Sequence, residues 1–475
     1  MTGPVRSCVV ASLTALLALG GCAPALRPVP ASAVLTPPLE WRTQVPGTAA
    51  VEQRWWDSFS DPALSALVEA ARANNTDVLI AAARIEEARG TEAASRSLLL
   101  PTVEAGLNAA VRREVSAFGK GQESVVAQPL ARVSYELDLF GRNRAGIDAA
   151  AAGVAASEAA REATLLSVSA ATASGYVTLL ALDARLATLR KTLAVQQQSV
   201  HFAQRRAEVG YTSQLEWRQA QAEYQATAQN VPQVEAQIAR QENALSVLTG
   251  VLPRAIRRGG SLADLTRPPP PSIVPAELLR LRPDIAAAEY QLAASDAQMR
   301  AARARFMPTF GISASAGTVF SDLLSAPISV WSLGGSILAP IFDGGRLRGQ
   351  LTSATARRDQ AAFAYRSTVL NAFREVEDRL ATLARLGDQQ RALDAQRVAV
   401  ADALRHARNR YEAGYTPYIE QVDAQRSLLG VELSLVQLRA DQLTSTISLY
   451  QAVGGAPAGR NRPVTSPVPD SGQPR

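Results

Sequence analysis

Cysteine, histidine and methionine are almost missing from this chain, at 2, 2 and 3 in 475 residues. Cys8 lies in the N-terminal apolar stretch, so Cys22 is left without a partner, and neither a disulfide nor a Cys-based metal site is expected. The two histidines, His201 and His406, occupy equivalent points of an internal repeat, which common ancestry explains better than a paired metal site. No Gly-rich phosphate loop follows a strand and no Ser-containing nucleophile elbow occurs, so an enzyme is not expected. Aromatic residues make up only 5% while 47% are hydrophobic, with Ala very abundant, a balance that favours long, closely packed helices over a bulky globular core. The net charge of +6 is modest and Arg is scattered along helical stretches, which reads as solvated faces and no nucleic-acid surface. After the first residues, no uninterrupted apolar run reaches the roughly 18 residues of a spanning helix, which leaves strands as the way across a membrane.

The N-terminus sets the compartment. Arg6 precedes an apolar run, Val9 to Leu19, too short to span a bilayer, so residues 1–21 read as a signal peptide. The run ends in Leu19-Gly20-Gly21-Cys22, which resembles a lipobox whose Cys22 thiol is diacylated. That covalent lipid is the only non-protein group expected, and two or three acyl chains anchor stably where one is marginal. Ala23 follows where retained lipoproteins carry Asp, which implies sorting to the outer membrane. Residues 22–60 are Pro-rich and read as a lipidated tether.

A duplication organises the rest. Arg206-Ala207-Glu208-Val209-Gly210-Tyr211-Thr212-Ser213 is echoed by Arg410-Tyr411-Glu412-Ala413-Gly414-Tyr415-Thr416-Pro417, with the Gly residues 204 apart. Leu100-Pro101-Thr102 and Met307-Pro308-Thr309, and the phenylalanines of Phe140-Gly141 and Phe342-Asp343-Gly344, recur at nearly the same offset. This gives a first repeat over 61–250, a linker over 251–275, a second repeat over 276–455 and a disordered tail over 456–475. In each copy a long helix stops at the Gly, the Thr or Ser after it caps a second helix, and Pro417 fits the first turn of the later one.

Alternation of apolar and polar residues predicts two strand pairs, about 102–118 with 125–140 and about 308–320 with 328–342, the first pair turning at Gly119-Lys120-Gly121-Gln122. Glu104, Arg112, Arg132, Glu136 and Asp138 fall on the polar face, which suits a wet interior. Four strands in lipid would leave edge amides unpaired, so closure requires other copies, and three chains supply twelve strands. Long heptad-patterned helices follow each pair: Leu165, Val168, Thr172, Gly175, Leu179 and Leu182 in the first, Val369, Phe373, Val376 and Leu380 in the second. From Gly146 to Glu208 such a helix extends roughly 95 Å.

With Leu281-Arg282-Pro283-Asp284-Ile285, Pro340-Ile341-Phe342-Asp343-Gly344-Gly345-Arg346 and Val422-Asp423-Ala424-Gln425-Arg426 in the same order, the chain resembles the TolC-like outer-membrane factors, in their OprM/NodT-like lipoprotein branch. The resemblance implies an α+β membrane protein with an internal duplication: a trimeric 12-stranded β-barrel, four strands per chain, continued by a long α-helical coiled-coil barrel. It also implies a passive exit channel for drugs or other small molecules, working as a homotrimer with a periplasmic adaptor and an inner-membrane transporter of RND type. Ile419, Glu420, Asp423 and Arg426 match the periplasmic gate, with Asp423 and Arg426 three apart on one helical face. Val209, Gly210, Tyr211, Thr212, Gly414, Tyr415 and Thr416 match the tip that meets the adaptor, and Glu216 falls where the family often bonds to a neighbouring helix. Two other readings stay open from sequence: a duct for protein secretion of type I, and a coiled-coil structural lipoprotein without a pore. Cys22→Ser is expected to abolish palmitate labelling of the expressed protein, and labelling that persists would refute the anchor.

Overall fold

The computed structural model describes residues 24–25, 27–44, 47, 52–115, 119–272 and 274–455; the expected signal peptide, Cys22 and the tail from 456 lie outside the described residues. The chain forms two compact units. The first takes Ala83–Glu158 and Ala287–Ser367 with the N-terminal stretch to Leu35, and the second takes Thr36–Ala82, Ala159–Ala286 and the chain from Thr368.

The first unit holds the sheet. Strands β1 (Thr102–Val115), β2 (Gly121–Leu137), β3 (Thr309–Ser321) and β4 (Ile328–Leu338) pair antiparallel in the order β1-β2-β3-β4. Val103 lies opposite Val133, which lies opposite Ala314, which lies opposite Leu333. The next row is Glu104, Arg132, Ser315 and Ser332, so one face is apolar and the other polar, as alternation requires. Trp331 (80% exposed), Leu333 (72%) and Val111 (74%) show that no described part of the chain covers the apolar face.

The strand ends differ from the sequence expectation, each for a physical reason. β2 starts at Gly121 instead of about 125, because Gly121 and Gln122 pair with Val115 and Glu114, which removes them from the expected turn. β2 stops at Leu137 instead of 140: Asp138 leaves the ladder to accept the amides of Asn143 (3.1 Å) and Arg144 (2.8 Å) at the start of the next helix. β4 stops at Leu338 instead of 342, so Ala339 and Ile341 are not strand residues. Pro340 has no N–H for a ladder, and Asp343 accepts from Gly345 (2.9 Å) and Leu347 (2.8 Å).

The helices are α1 (Pro62–Asn74), α2 (Thr76–Ser97), α3 (Arg142–Glu208), α4 (Gln214–Ala228), α5 (Asn230–Leu248), α6 (Pro275–Leu281), α7 (Pro283–Ala304), α8 (Arg346–Glu412) and α9 (Tyr418–Ala452). The duplication shows in α3 and α8, each 67 residues long, about 100 Å at the α-helical rise. It fails after the tip, where α9 runs unbroken but its counterpart divides into α4 and α5 at Gln229, three residues before Pro232, which has no N–H for the Ala228 carbonyl and whose ring crowds it. One 18-residue window of α3 has a mean hydropathy of 1.6, enough to pass as a membrane span by composition, although no uninterrupted apolar run exists. Since 56% of that window is buried inside the chain, we assign it to the packed interior.

In the second unit the heptad face of α3 is buried: Thr172 and Leu179 at 0%, with Leu165, Val168, Leu186 and Leu189. At Gly175 a side chain would strike Leu245 and Gln241, so α5 packs against bare backbone there. The expected tether is not uniformly irregular. Trp55–Phe59 forms a 3-10 turn whose Trp55, Trp56 and Phe59 lie in the core beside Tyr176, Leu180 and Leu443, and Trp55 stacks on Tyr450 at 5.6 Å. The linker is also built in. Ile256, Leu262 and Leu265 join that core, Arg258 pairs with Asp183 (2.9 Å) and with Glu242, and Tyr176 donates to Asp61 (2.9 Å) while accepting from the Gly259 amide (2.9 Å). The Arg282-Pro283-Asp284 motif works as a structural tie. Buried Arg282 reaches Asp284, Glu375 (2.8 Å) and the Ala452 carbonyl (2.7 Å), fastening the start of the second repeat to its end.

Two glycines make opposite expectations. Gly250 has φ +70° and an added Cβ would lie 2.3 Å from the Asn74 carbonyl oxygen, so Gly250→Ala should cost more than about 1 kcal/mol and lower the thermal midpoint of the helical circular dichroism signal. Gly387 has open space inside α8, and Gly387→Ala should stabilise by roughly 0.5–1 kcal/mol. Equal midpoints for the two variants would refute this packing.

Candidate functional site

The two Gly-centred turns meet in the second unit. α3 and α8 end alike: the Tyr211 amide reaches back to the Arg206 carbonyl (2.8 Å) and that of Gly210 to Ala207 (3.2 Å), while Tyr415 reaches Arg410 (2.9 Å) and Gly414 reaches Tyr411 (3.0 Å). Gly210 (φ +74°) and Gly414 (φ +80°) take the left-handed conformation that this double closure needs. The entry to the following helices differs from expectation. Ser213 and Pro417 are the N-cap residues of α4 and α9, and neither supplies a side-chain cap bond. Pro417 thus precedes the first turn instead of sitting in it, and the hydroxyls of Thr212 and Thr416 are enclosed without a hydrogen bond among the described residues.

Ala203, Ala220, Tyr411, Tyr418 and Val422 form the small apolar core that joins the hairpins. Around it lies a polar collar. The Tyr411 hydroxyl donates to Glu216 (3.2 Å), so Glu216 bonds across to the neighbouring helix. Arg426 donates to Glu223 at 2.6 Å, and its approach to Asp423 is far looser at 3.8 Å. The intrahelical Asp423–Arg426 pair expected from spacing is therefore the weaker of two contacts, and the strong one crosses from α9 to α4. Arg410 and Glu420 approach within 3.5 Å.

The Arg206 guanidinium stands over three rings, Phe202, Tyr211 and Tyr411, at 5.3–5.4 Å from their centres. Burial, with Glu216 adding to it, pushes the Tyr411 phenol far up, and burial brings that of Tyr418 to about 12. The hydrogen bond to Glu223 raises Arg426 above the ordinary guanidinium range. Val209 (76% exposed), Tyr211 (79%) and Tyr415 (81%) form an outward apolar rim, and Ile419, Glu420 and Asp423 are exposed beside it. Cys22 lies outside the described residues. Sequence reasoning missed Glu223, Tyr418 and the Arg206 cage, although Glu223 lies 203 before Arg426, nearly the repeat offset. Nothing in this collar arranges a nucleophile beside a base; it holds two helix pairs together through bonds that can be broken.

The sequence pattern of the family described as "Outer membrane efflux protein" matches residues 67–251 and 274–455, most of the chain. The chain belongs to the outer membrane efflux protein family. This efflux protein is 31% identical over 471 residues to the pyoverdine export outer membrane protein OpmQ of Pseudomonas putida, covering 96% of this chain and 98% of that one. It is 32% identical over 463 residues to the probable outer membrane lipoprotein SilC of Salmonella typhimurium, covering 94% and 98%. Its fold is similar to the open state of the MtrE outer membrane channel of Neisseria gonorrhoeae, with a TM-score of 0.79 and 28% identity over 91% of this chain and 98% of that one. The efflux protein is accordingly an outer-membrane component of an efflux pump.

The phenols make the collar of the efflux protein alkali-sensitive. A folded-state value of about 12 for Tyr418, above the ordinary 10, gives stability that is whole below pH 10 and lost as pH rises through 12. Tyrosine absorbance titration should show one phenol fewer ionising near 12 in Tyr418→Phe; loss of a phenol that ionises near 10 instead would place Tyr418 in solvent.

Proposed function

We propose that three copies of this chain close their sheets into one twelve-stranded barrel and serve as the passive exit duct of a tripartite efflux pump for drugs or other small molecules. One observation carries the reading: among the described residues, β1 and β4 are free edges of a sheet whose apolar face is uncovered. In hydrocarbon each unpaired edge amide costs several kcal/mol, and pairing β4 of one copy with β1 of the next removes that cost at every edge. The relatives' roles in export and efflux favour small molecules over secreted proteins as cargo.

In this reading the polar face lines water, and α3 and α8 carry the duct into the periplasm. The hairpin tip is the gate: Glu420 and Asp423 repeat around a threefold axis, and Arg426 clamps α9 to α4 through Glu223. The exposed Val209, Tyr211 and Tyr415 meet a periplasmic adaptor, which links the duct to an inner-membrane transporter of RND type. A lipid on Cys22 anchors each copy.

Crosslinking in detergent should give three copies, and the purified protein should open channels in planar bilayers; a strictly monomeric, non-conducting protein would refute the duct. Glu223→Gln and Arg426→Ala should each raise single-channel conductance more than Asp423→Ala does. Equal conductance in all three would remove the gate while leaving the duct.

A further inference from the structure

The polar face of the sheet continues into the helices of the first unit. Thr309 and Leu338 pair across β3 and β4 on that face. They also line a cleft of about 740 Å³ whose other walls carry Arg142, Arg305 and Arg346. Arg142 is held by Glu136 (2.5 Å), itself a polar-face residue. This cleft shares Ser95, Gly146, Ala301 and Arg305 with a larger neighbour of about 1040 Å³ between α2, α3, α7 and α8. Small residues such as Ala149, Gly153 and Ala294 let its floor recede, and exposed Arg84 and Arg357 stand over it.

The charge there is one-sided. Among the described residues, Glu87 is the only acidic one lining either cleft. Arg305 donates to a neutral acceptor, the Gln350 side-chain oxygen (3.2 Å), and Arg84 and Arg357 form no ion pair among the described residues. Like charges in a recess walled by protein focus potential, and guanidinium forks match carboxylate, phosphate and sulfonate oxygens two at a time.

We propose that this recess is a binding site for anionic cargo, small molecules bearing two or more acidic groups, on their way from the helical section into the barrel. It rests on the duct reading, which places the polar face inward, and it assigns a cargo class to that duct. Charge complementarity makes the prediction quantitative at low salt, where screening is least.

The test uses the full-length protein in planar bilayers, with inorganic tripolyphosphate added on the barrel side. Wild type should be blocked, and the block should weaken as salt rises. R84Q/R305Q/R357Q should need about tenfold or more tripolyphosphate, the loss expected when charge-assisted hydrogen bonds are removed. The corresponding triple lysine variant should keep most of the block. Where the triple variant fails to assemble, R357Q alone must still weaken block by roughly two- to threefold, as loss of one such contact requires. Channels that tripolyphosphate leaves open, or blocks equally in wild type and variant, overturn the site and spare the duct. A wild type that conducts nothing overturns the duct itself.

Discussion

A backbone amide removed from water must find another partner, and that requirement governs this chain more than any side-chain contact. Inside the sheet it is met by the three antiparallel pairings. At the outer margins of β1 and β4 it is not met among the described residues, while Trp331 and Leu333 leave an apolar face exposed. A surface of that kind is tolerable in water only when short or blunted, and in lipid only when closed. In the duct reading proposed above, that makes assembly and insertion parts of one process.

The helical unit solves the opposite problem, how to be firm without being permanent. Its core concentrates the few aromatics the composition allows, with Trp55, Trp56, Phe59 and Tyr176 packed where α1, α3, α5 and α9 come together. Toward the tip the apolar packing thins to a cluster of five buried side chains and a set of polar links, among them Tyr411 to Glu216 and Arg426 to Glu223. Gln421 and Gln425 are buried there with side-chain oxygens that have no partner among the described residues. A joint of this composition separates more readily than an apolar one, because water can replace what its polar groups give up.

Much of this was legible beforehand, for reasons that differ by element. Two-residue alternation revealed all four strands, since a sheet with one wet and one dry face writes that period directly. Their ends were hidden because Asp138 looks like a polar-face strand residue yet accepts helix amides, and because the alternation runs on through Ala339 and Ile341 after the β4 ladder has stopped. The Gly-closed turns were legible because Gly210 and Gly414 occupy a conformation other residues resist. The capping role given to the Thr and Ser after each Gly, and the first-turn place given to Pro417, were not realised, since local preference yields to the way two helices enter one joint. Glu223 was illegible for a further reason: a cross-helix bond depends on how α4 and α9 rotate about each other, which one strand of sequence does not record.

Equal length in α3 and α8 carries a consequence for how such a protein changes over time. Just before each stands an aspartate that accepts first-turn amides, Asp138 or Asp343, and just after each a left-handed glycine. Since both must deliver their last turns to the same joint, an insertion in one alone would rotate and displace its hairpin relative to the other. Reach can therefore evolve only through matched indels in the two halves, in steps that restore helical phase. The duplication is in this sense still enforced, long after the two copies have diverged in residue identity.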